Sequence, residues 1–107
     1  MSLADKTCEP CRGGIPPLSK AQIEPLLKEL KGWKVLDDTR LQKSIKTDNF
    51  KQALDLANQV GDIAEEQQHH PDLLVRWGEL NIDLFTHAIN GLSEADFILA
   101  AKIDRVA

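Results

Sequence analysis

The sequence predicts an α+β domain in which three helices pack on one face of a four-stranded antiparallel sheet. Three segments carry apolar residues at helical spacing, and four shorter segments between them are typical of strands. Their order is α-β-β-α-β-β-α, which allows two hairpins to join as one sheet. Because the helices need an apolar surface to cover, we expect all three on the same face. A chain of 107 residues is long enough for one domain with a single core.

Residues 1–18 are expected to form a flexible N-terminal arm, and residues 19–107 the folded domain. The arm contains three prolines and two glycines but little apolar sequence, so we expect it to be dispensable for activity. Its Cys8 and Cys11 are spaced as in half a zinc site or a redox pair. Further zinc ligands are missing nearby, and the strand and helix that flank a thioredoxin-like pair are not predicted here. We therefore expect two reduced thiols on an exposed arm.

The first helix is predicted over residues 20–31. Ser19 and Gln22 have the spacing of a capping box, in which each side chain binds the backbone N–H of the other residue. Apolar residues follow at helical spacing: Ile23, Leu26, Leu27 and Leu30. Gly32 suits the position just past the helix end, because glycine accepts the left-handed conformation common there.

Two β-hairpins are predicted, one on each side of the second helix. In the first, Trp33–Val35 and Leu41–Lys46 flank Asp and Thr residues that favour turns through their side-chain hydrogen bonds. In the second, Leu73–Trp77 leads through a Gly78-Glu79 turn to a strand with a clean period of two. The apolar positions of that strand are Leu80, Ile82 and Leu84. His87 has the opposite parity and is expected on the other face if the strand continues.

The second helix is predicted from about Asn49 to Gln68, and the third opens with a capping-box pattern at Ser93 and Asp96. The apolar stripe of the second helix is Phe50, Ala53, Leu54, Ala57, Val60 and Ala64. That of the third is Ala95, Ile98, Leu99, Ile103 and Val106. Pro71 disfavours helical geometry at the residue before it, so the second helix should end just before two adjacent histidines.

All three histidines of the chain lie in two short segments, at His69-His70 and at His87. Imidazole is the side chain whose unperturbed pKa lies nearest neutrality, so this concentration suggests acid/base catalysis. Two alternatives stay open. One is a metal site, although adjacent residues on an extended backbone point apart and no further ligand has a familiar spacing. The other is a structural pair at a helix end, where the helix dipole favours imidazolium.

Two carboxylates near these histidines have both a structural and a functional interpretation. Asp96 stands three residues after Ser93 and can complete a capping box, or it can orient an imidazole. Glu65 lies four residues before His69 and is either a solvated helix charge or a partner of the histidines.

Three motifs now carry a resemblance: Glu65-x-x-x-His69-His70-Pro71, Thr86-His87 and Gly91-Leu92-Ser93-Glu94-x-Asp96. Together they resemble the motifs of the pterin-4a-carbinolamine dehydratases, over about residues 19–107, and the element order matches as well. The resemblance implies a dehydratase that converts a 4a-hydroxytetrahydropterin to quinonoid dihydropterin and water. That step would recycle the tetrahydropterin cofactor of aromatic amino acid hydroxylases. It transfers no net electrons, so no cofactor and no metal are expected.

The same resemblance implies roles for individual residues. His69 and His70 would carry acid/base catalysis, His87 would hold and polarise the pterin, and which histidine is acid and which is base stays open. Asp96 would support the site through a hydrogen bond. The other motif residues would bind substrate or support the site: Glu65, Pro71 and Thr86. Some animal members double as cofactors of a homeodomain transcription factor, so the alternative is a non-catalytic binding, assembly or transcriptional role on the same fold.

Composition limits the partners further. The formal net charge of −4 and the scattering of Lys and Arg argue against nucleic acid as a direct ligand. No apolar run approaches membrane-spanning length, and the first residues lack the apolar core of a secretory leader, so we expect a cytoplasmic location. The open sheet has two edges that need covering, which predicts a homodimer or homotetramer. In a tetramer, Ala53, Ala57 and Gly61 would allow helices of two copies to approach closely.

Overall fold

A computed structural model describes residues 3–6 and 16–106, and it confirms the predicted fold class and element order. The helices are α1 (Lys20–Leu27), α2 (Phe50–Gln67) and α3 (Glu94–Asp104). The strands are β1 (Lys34–Leu36), β2 (Arg40–Lys46), β3 (Asp72–Arg76) and β4 (Glu79–Leu84). Two short 3₁₀ helices, which the sequence did not predict, cover Leu3–Asp5 and His87–Ile89. No helix in the described ranges is long and apolar enough to cross a membrane.

The four strands form one antiparallel sheet in the order β1-β2-β4-β3, so β1 and β3 are its edges. One face of the two central strands is covered by the helices, and its fully buried residues are Leu41, Leu80, Ile82 and Leu84. The opposite face is polar, and there Gln42 donates to Asp83 across the strands at 2.9 Å. The alternation predicted for β4 therefore separates a helix-covered face from an open one.

α1 ends at Leu27, earlier than the range 20–31 that the sequence predicts. The N–H of Lys28 still binds the carbonyl of Glu24, but the next two amides bind carbonyls only three residues back, as in a 3₁₀ turn. The N–H of Lys31 then donates to Oδ2 of Asp104, a residue of α3, at 3.0 Å. Gly32 follows with a φ of +77°, the left-handed conformation that glycine accepts. The Asp104 side chain thus accepts the hydrogen bond that the Lys31 N–H would donate to a backbone carbonyl if the helix continued.

α2 buries only part of its predicted apolar stripe. Ala53 and Ala57 are buried in the core of the same chain, whereas Phe50 and Leu54 remain exposed. The expectation that Ala53 and Ala57 meet a helix of a second copy is therefore wrong, because their surfaces are already covered. Gly61 has open space around its α-carbon and can still lie at a contact.

Part of the predicted N-terminal arm packs against the core. Leu3 and Ala4 are buried against α3, and the Nζ of Lys102 donates to the carbonyl oxygen of Ala4 at 2.9 Å. The expectation that residues 1–18 lie outside the core is therefore wrong for these two residues. The physical reason is that burying a leucine side chain stabilises the fold by about 1.5–3 kcal/mol. Cys8 and Cys11 lie outside the described residues, so the prediction of two reduced thiols stays untested.

Candidate active site

The two adjacent histidines lie at the junction between α2 and β3. α2 ends at Gln67, and Gln68 adopts the left-handed conformation with φ 54° and ψ 37°. The N–H of His69 still binds the carbonyl of Ala64, which closes the last turn of the helix. Pro71 then directs the chain into β3, as the sequence predicted. The helix end thereby places both histidines immediately before β3.

His69 is held by a carboxylate from another element. Its Nε2 lies 2.5 Å from Oδ1 of Asp96, in the first turn of α3. Only 11% of the His69 side chain is exposed, and none of the Asp96 side chain. Because a carboxylate accepts hydrogen bonds, Nε2 of His69 carries the proton in this pair, and Nδ1 is the ring atom left to exchange one.

Asp96 is fixed by two further donors. The hydroxyl of Thr86 donates to its Oδ2 at 2.7 Å, and the backbone N–H of Ser93 donates to the same oxygen at 3.0 Å. Thr86 is itself buried, and its hydroxyl also lies 2.9 Å from that of Ser93. Asp96 therefore caps α3 with one oxygen and orients His69 with the other. The structural and the functional interpretation of this residue thus both apply.

His70 pairs with Glu65, but at the surface. Its Nε2 is hydrogen-bonded to Oε2 of Glu65, one turn back in α2. The two side chains are 60% and 77% exposed. Water competes for both groups there, so the pair orients the ring weakly compared with the buried His69–Asp96 pair.

His87 lies beyond the end of β4, in the 3₁₀ helix that closes the loop. Because β4 ends at Leu84, the regular continuation on which the His87 expectation depended does not occur; Thr86 is buried and His87 is exposed at the start of the 3₁₀ helix. The His87 ring packs against Phe85, with ring centroids 4.1 Å apart and tilted by 50°. The guanidinium carbon of Arg40 lies 4.9 Å from the Phe85 centroid, a cation–π distance that steadies this aromatic side chain.

The three histidines line one open cavity of about 380 Å³. Its wall also contains Pro71 and Thr86, whereas Asp96 and Glu65 support it from behind or beside the rings. Four lining residues were not predicted: Gln68, Asp72, Phe85 and Ala88. Each is adjacent in sequence to a predicted residue, and the parity that Phe85 shares with His87 was the one available signal. A smaller cavity of about 170 Å³ lies beside Leu3 and Ala4 and contains no histidine.

This arrangement is suited to proton transfer. Two imidazoles, each oriented by a carboxylate, and a third imidazole face the same space, which is large enough for a small planar ligand. Within residues 3–6 and 16–106, no three His, Cys, Asp or Glu side chains come together as metal ligands would.

Comparison with known proteins agrees with the motifs. Residues 16–106 match the family model described as pterin 4 alpha carbinolamine dehydratase. A protein of Rubrobacter xylanophilus, provisionally named pterin-4-alpha-carbinolamine dehydratase, is 51% identical over 104 residues and covers 97% of each chain. A protein of Rickettsia canadensis with the same provisional name is 52% identical, over 95% of this chain and 94% of its own.

A solved structure is similar as well. The crystal structure of a protein described as a transcriptional coactivator/pterin dehydratase from Brucella melitensis superposes with a TM-score of 0.79 and 28% identity. The match covers 85% of this chain and 98% of that one. The similarity therefore extends over most of the fold.

Proposed function

This chain belongs to the family of pterin-4-alpha-carbinolamine dehydratases, which are hydro-lyases, and we propose that it converts a 4a-hydroxytetrahydropterin to quinonoid dihydropterin and water. The observation that carries the proposal is the meeting of His69, His70 and His87 at one cavity, with His69 anchored on the buried Asp96. A dehydration of this kind needs one group to protonate the leaving hydroxyl and another to accept the proton on N5.

The reaction balances without an external reactant. The bond between C4a and the hydroxyl oxygen breaks, the hydroxyl leaves as water, and a C4a–N5 double bond forms as N5 loses its proton. The proton given to the hydroxyl balances the one taken from N5, and proton exchange with solvent then returns the two groups to their starting protonation states. Imidazoles suit both transfers because their ordinary pKa lies near neutrality, and each transfer contributes about 10²–10⁴-fold.

In this proposal His69 and His70 exchange the protons, and His87 holds and polarises the pterin. The Asp96 carboxylate keeps Nε2 of His69 protonated and turns Nδ1 toward exchange. His70 is more exposed, which suits contact with a hydroxyl that leaves as water. Phe85 and Pro71 supply apolar surface beside the rings. The other motif residues, Glu65 and Thr86, act through His70 and Asp96.

A dehydratase assay on purified variants tests these roles. We expect His69→Ala and His70→Ala each to lower turnover at least about tenfold, through loss of a proton-transfer group. His87→Ala should mainly raise KM, because uniform binding affects the ground state and the transition state alike. Lys51→Ala, in an exposed ion pair on α2, serves as control. Turnover near that of the control in the His69/His70 double variant, with circular dichroism unchanged, would contradict the proposal.

The proposal includes a reaction without a metal. Water leaves with a proton supplied by an imidazole, so a Lewis acid is unnecessary. We expect full activity after dialysis against a chelator, with metal content measured on the same sample. Stoichiometric zinc whose removal abolishes turnover would overturn this part.

The alternative role is a binding or assembly function without catalysis. The Brucella protein is described as a transcriptional coactivator as well as a pterin dehydratase, which supports this alternative role. The same dehydratase assay decides between them, since a scaffold that has lost activity would show no turnover with the fold intact. A role in recycling the cofactor of aromatic amino acid hydroxylases, in the cytoplasm, is the physiological setting we propose. Accumulation of 4a-hydroxypterin products after gene deletion would test it.

We further propose that the protein assembles through β3. This edge strand has no second neighbour within residues 3–6 and 16–106, and Leu74 on its open face is half exposed. Antiparallel pairing of two copies about Leu74 would place Asp72 of each opposite Arg76 of the other. Complementary charges facing each other across strands favour this register, and the pairing removes two exposed edges.

Light scattering at micromolar concentration tests the assembly. We expect a mass at least about twice the 11.9 kDa of one chain. Arg76→Asp should weaken assembly by facing like charges, and the charge-swapped Asp72→Arg/Arg76→Asp variant should restore it. A mass near 11.9 kDa for the unmodified protein would end the proposal. A tetramer would require a further surface, for which the exposed Phe50 and Leu54 of α2 are available.

A further inference from the structure

We propose that two N-terminal segments, Leu3–Lys6 and Pro16–Leu18, are positioning elements of the active site. They hold the loop Gly91–Ser93 and the start of α3, from which Asp96 reaches His69. The inference rests on the proposed function for its kinetic consequences. It replaces the expectation that this part of the chain is dispensable.

The first contact is between Pro17 and Gly91. A Cβ added to Gly91 would lie 2.6 Å from Cβ of Pro17 and 3.1 Å from its Cγ, so Pro17 rests directly on the glycine. Gly91 does not have the positive φ that would itself demand glycine. Next to this contact, the N–H of Leu18 donates to the carbonyl of Leu92 at 2.8 Å, and Leu92 is fully buried. The close approach of Pro17 therefore explains why a side chain is excluded at position 91.

The second contact is between Leu3–Lys6 and α3. Only 2% of the Leu3 surface is exposed, and Lys102 donates to the carbonyl of Ala4. Two ion pairs extend the contact along the helix: Lys6 with Glu94 at 3.2 Å, and Arg105 with Asp5 at 2.8 Å. Glu94 is the first residue of α3, so this segment contacts the helix at both ends.

The loop that these segments contact continues directly into the site. The N–H of Thr86 donates to the carbonyl of Gly91 at 2.8 Å, which ties the loop to the end of β4. Thr86 and the N–H of Ser93 then bind Oδ2 of Asp96, whose Oδ1 holds His69. An unbroken series of contacts thus connects Pro17 to the His69 ring.

A shift of this loop should act on turnover more than on binding. Neither N-terminal segment lines the cavity of the three histidines, so neither is expected to touch the substrate. A displaced Asp96 would leave His69 free to turn or to change tautomer, and misplacement of a catalytic group by about 1 Å can cost on the order of a hundredfold. We therefore expect a lower kcat with an unchanged KM.

A steric double-mutant cycle in the full-length protein tests the inference. Gly91→Ala introduces the clash with Pro17 and should lower kcat about tenfold. Pro17→Gly removes the contact without a clash and should lower kcat about threefold. In Pro17→Gly/Gly91→Ala the new methyl group has room, so kcat should return to the level of Pro17→Gly. Gly61→Ala is the matched control, because open space surrounds that glycine.

Nitrogen-15 NMR of the His69 ring supplies a readout that does not depend on activity. We expect the signature of a ring protonated at Nε2 in the unmodified protein, a mixed signature in Gly91→Ala, and its recovery in the double variant. Absence of dehydratase activity in the unmodified protein would refute the proposed function, whereas the His69 ring signals of the same variants would still test the positioning of His69. The inference is overturned if Pro17→Gly matches Gly61→Ala in kcat and in the His69 signals. It is equally overturned if Gly91→Ala, once folded, is not relieved by Pro17→Gly.

Discussion

The two carboxylate–histidine pairs of the site have similar hydrogen-bonding groups and opposite surroundings. His69 and Asp96 come from different elements and are 11% and 0% exposed, whereas His70 and Glu65 lie one turn apart and are 60% and 77% exposed. In the buried pair, water cannot replace a lost partner, and the penalty for an unpaired group is about 1–3 kcal/mol or more. In the exposed pair, water can replace a lost partner, and such pairs contribute only about 0–1 kcal/mol to stability.

This difference indicates a division of labour. The buried pair sets the orientation and tautomer of one imidazole through a network of four residues: His69, Asp96, Thr86 and Ser93. The exposed pair leaves the second imidazole adaptable and in contact with water. Changes to the two pairs should therefore have unequal consequences for turnover and stability.

The largest effect is expected from Asp96→Asn. The N–H of Ser93 and the hydroxyl of Thr86 both donate toward Oδ2, so the amide oxygen should take that side. The amide NH₂ would then face Nε2 of His69, which must become an acceptor and move its proton to Nδ1. We expect turnover to fall on the order of a hundredfold and stability by about 2–4 kcal/mol. Nitrogen-15 NMR of the His69 ring would detect the inverted tautomer.

Asp96→Glu controls for charge, since it keeps the carboxylate but displaces it. If Asp96→Asn retained both the tautomer and the turnover of the unmodified protein, the buried pair would have no special role.

A smaller effect is expected from Thr86→Val, which keeps the shape and removes the hydroxyl. Oδ2 of Asp96 would lose the 2.7 Å hydrogen bond but keep the one from Ser93. We expect a loss of stability of about 1–3 kcal/mol and roughly tenfold lower turnover. Thr86→Ser restores the hydroxyl and should recover most of both. Chemical denaturation and the dehydratase assay measure them, and equal behaviour of the Val and Ser variants would remove Thr86 from the network.

Glu65→Gln should change little. The amide oxygen can still accept a hydrogen bond from His70, and both groups are solvated. We expect stability within about 0.5 kcal/mol and turnover within about threefold of the unmodified protein. A loss as large as that of Asp96→Asn in the same assays would erase the contrast between the two pairs.

The smallest effect is expected at a pair far from the histidines, the exposed Lys46 and the partly buried Glu79, which serves as a reference. The hydrogen bond from Lys46 holds the pKa of the Glu79 carboxyl below its usual value. A carboxyl with a lowered pKa in the folded state adds stability above its unfolded pKa, and this is lost as the pH falls through the folded pKa. Lys46→Ala should raise the Glu79 pKa toward its usual value in a carbon-13 NMR titration. Its slight destabilisation near neutral pH should vanish in acid, and a destabilisation that persists there would indicate another cause.

The local features of the site followed from short-range rules. Pro71 ends α2 before the histidines, and Leu80, Ile82 and Leu84 are buried on one side of β4 as its period of two predicts. The partner of His69 did not follow in the same way. The sequence leaves Asp96 open between capping α3 and orienting an imidazole, and spacing alone cannot show that its two oxygens do both. The two residues are 27 positions apart, so only the packing of α3 beside the end of α2 brings them together.

The sequence by itself determined the element order, the class of fold and the motifs, because turn residues, caps and periodicity act within a few residues of one another. The tertiary structure decided which surfaces are covered. It buried Leu3 against α3, and it turned Lys43, on the helix-covered side of β2, to Asp104 at 2.7 Å. Both outcomes depend on apolar area and paired charge contributed by elements far apart along the chain. Contacts between elements far apart in the sequence form only when the layers assemble, and no local pattern predicts them.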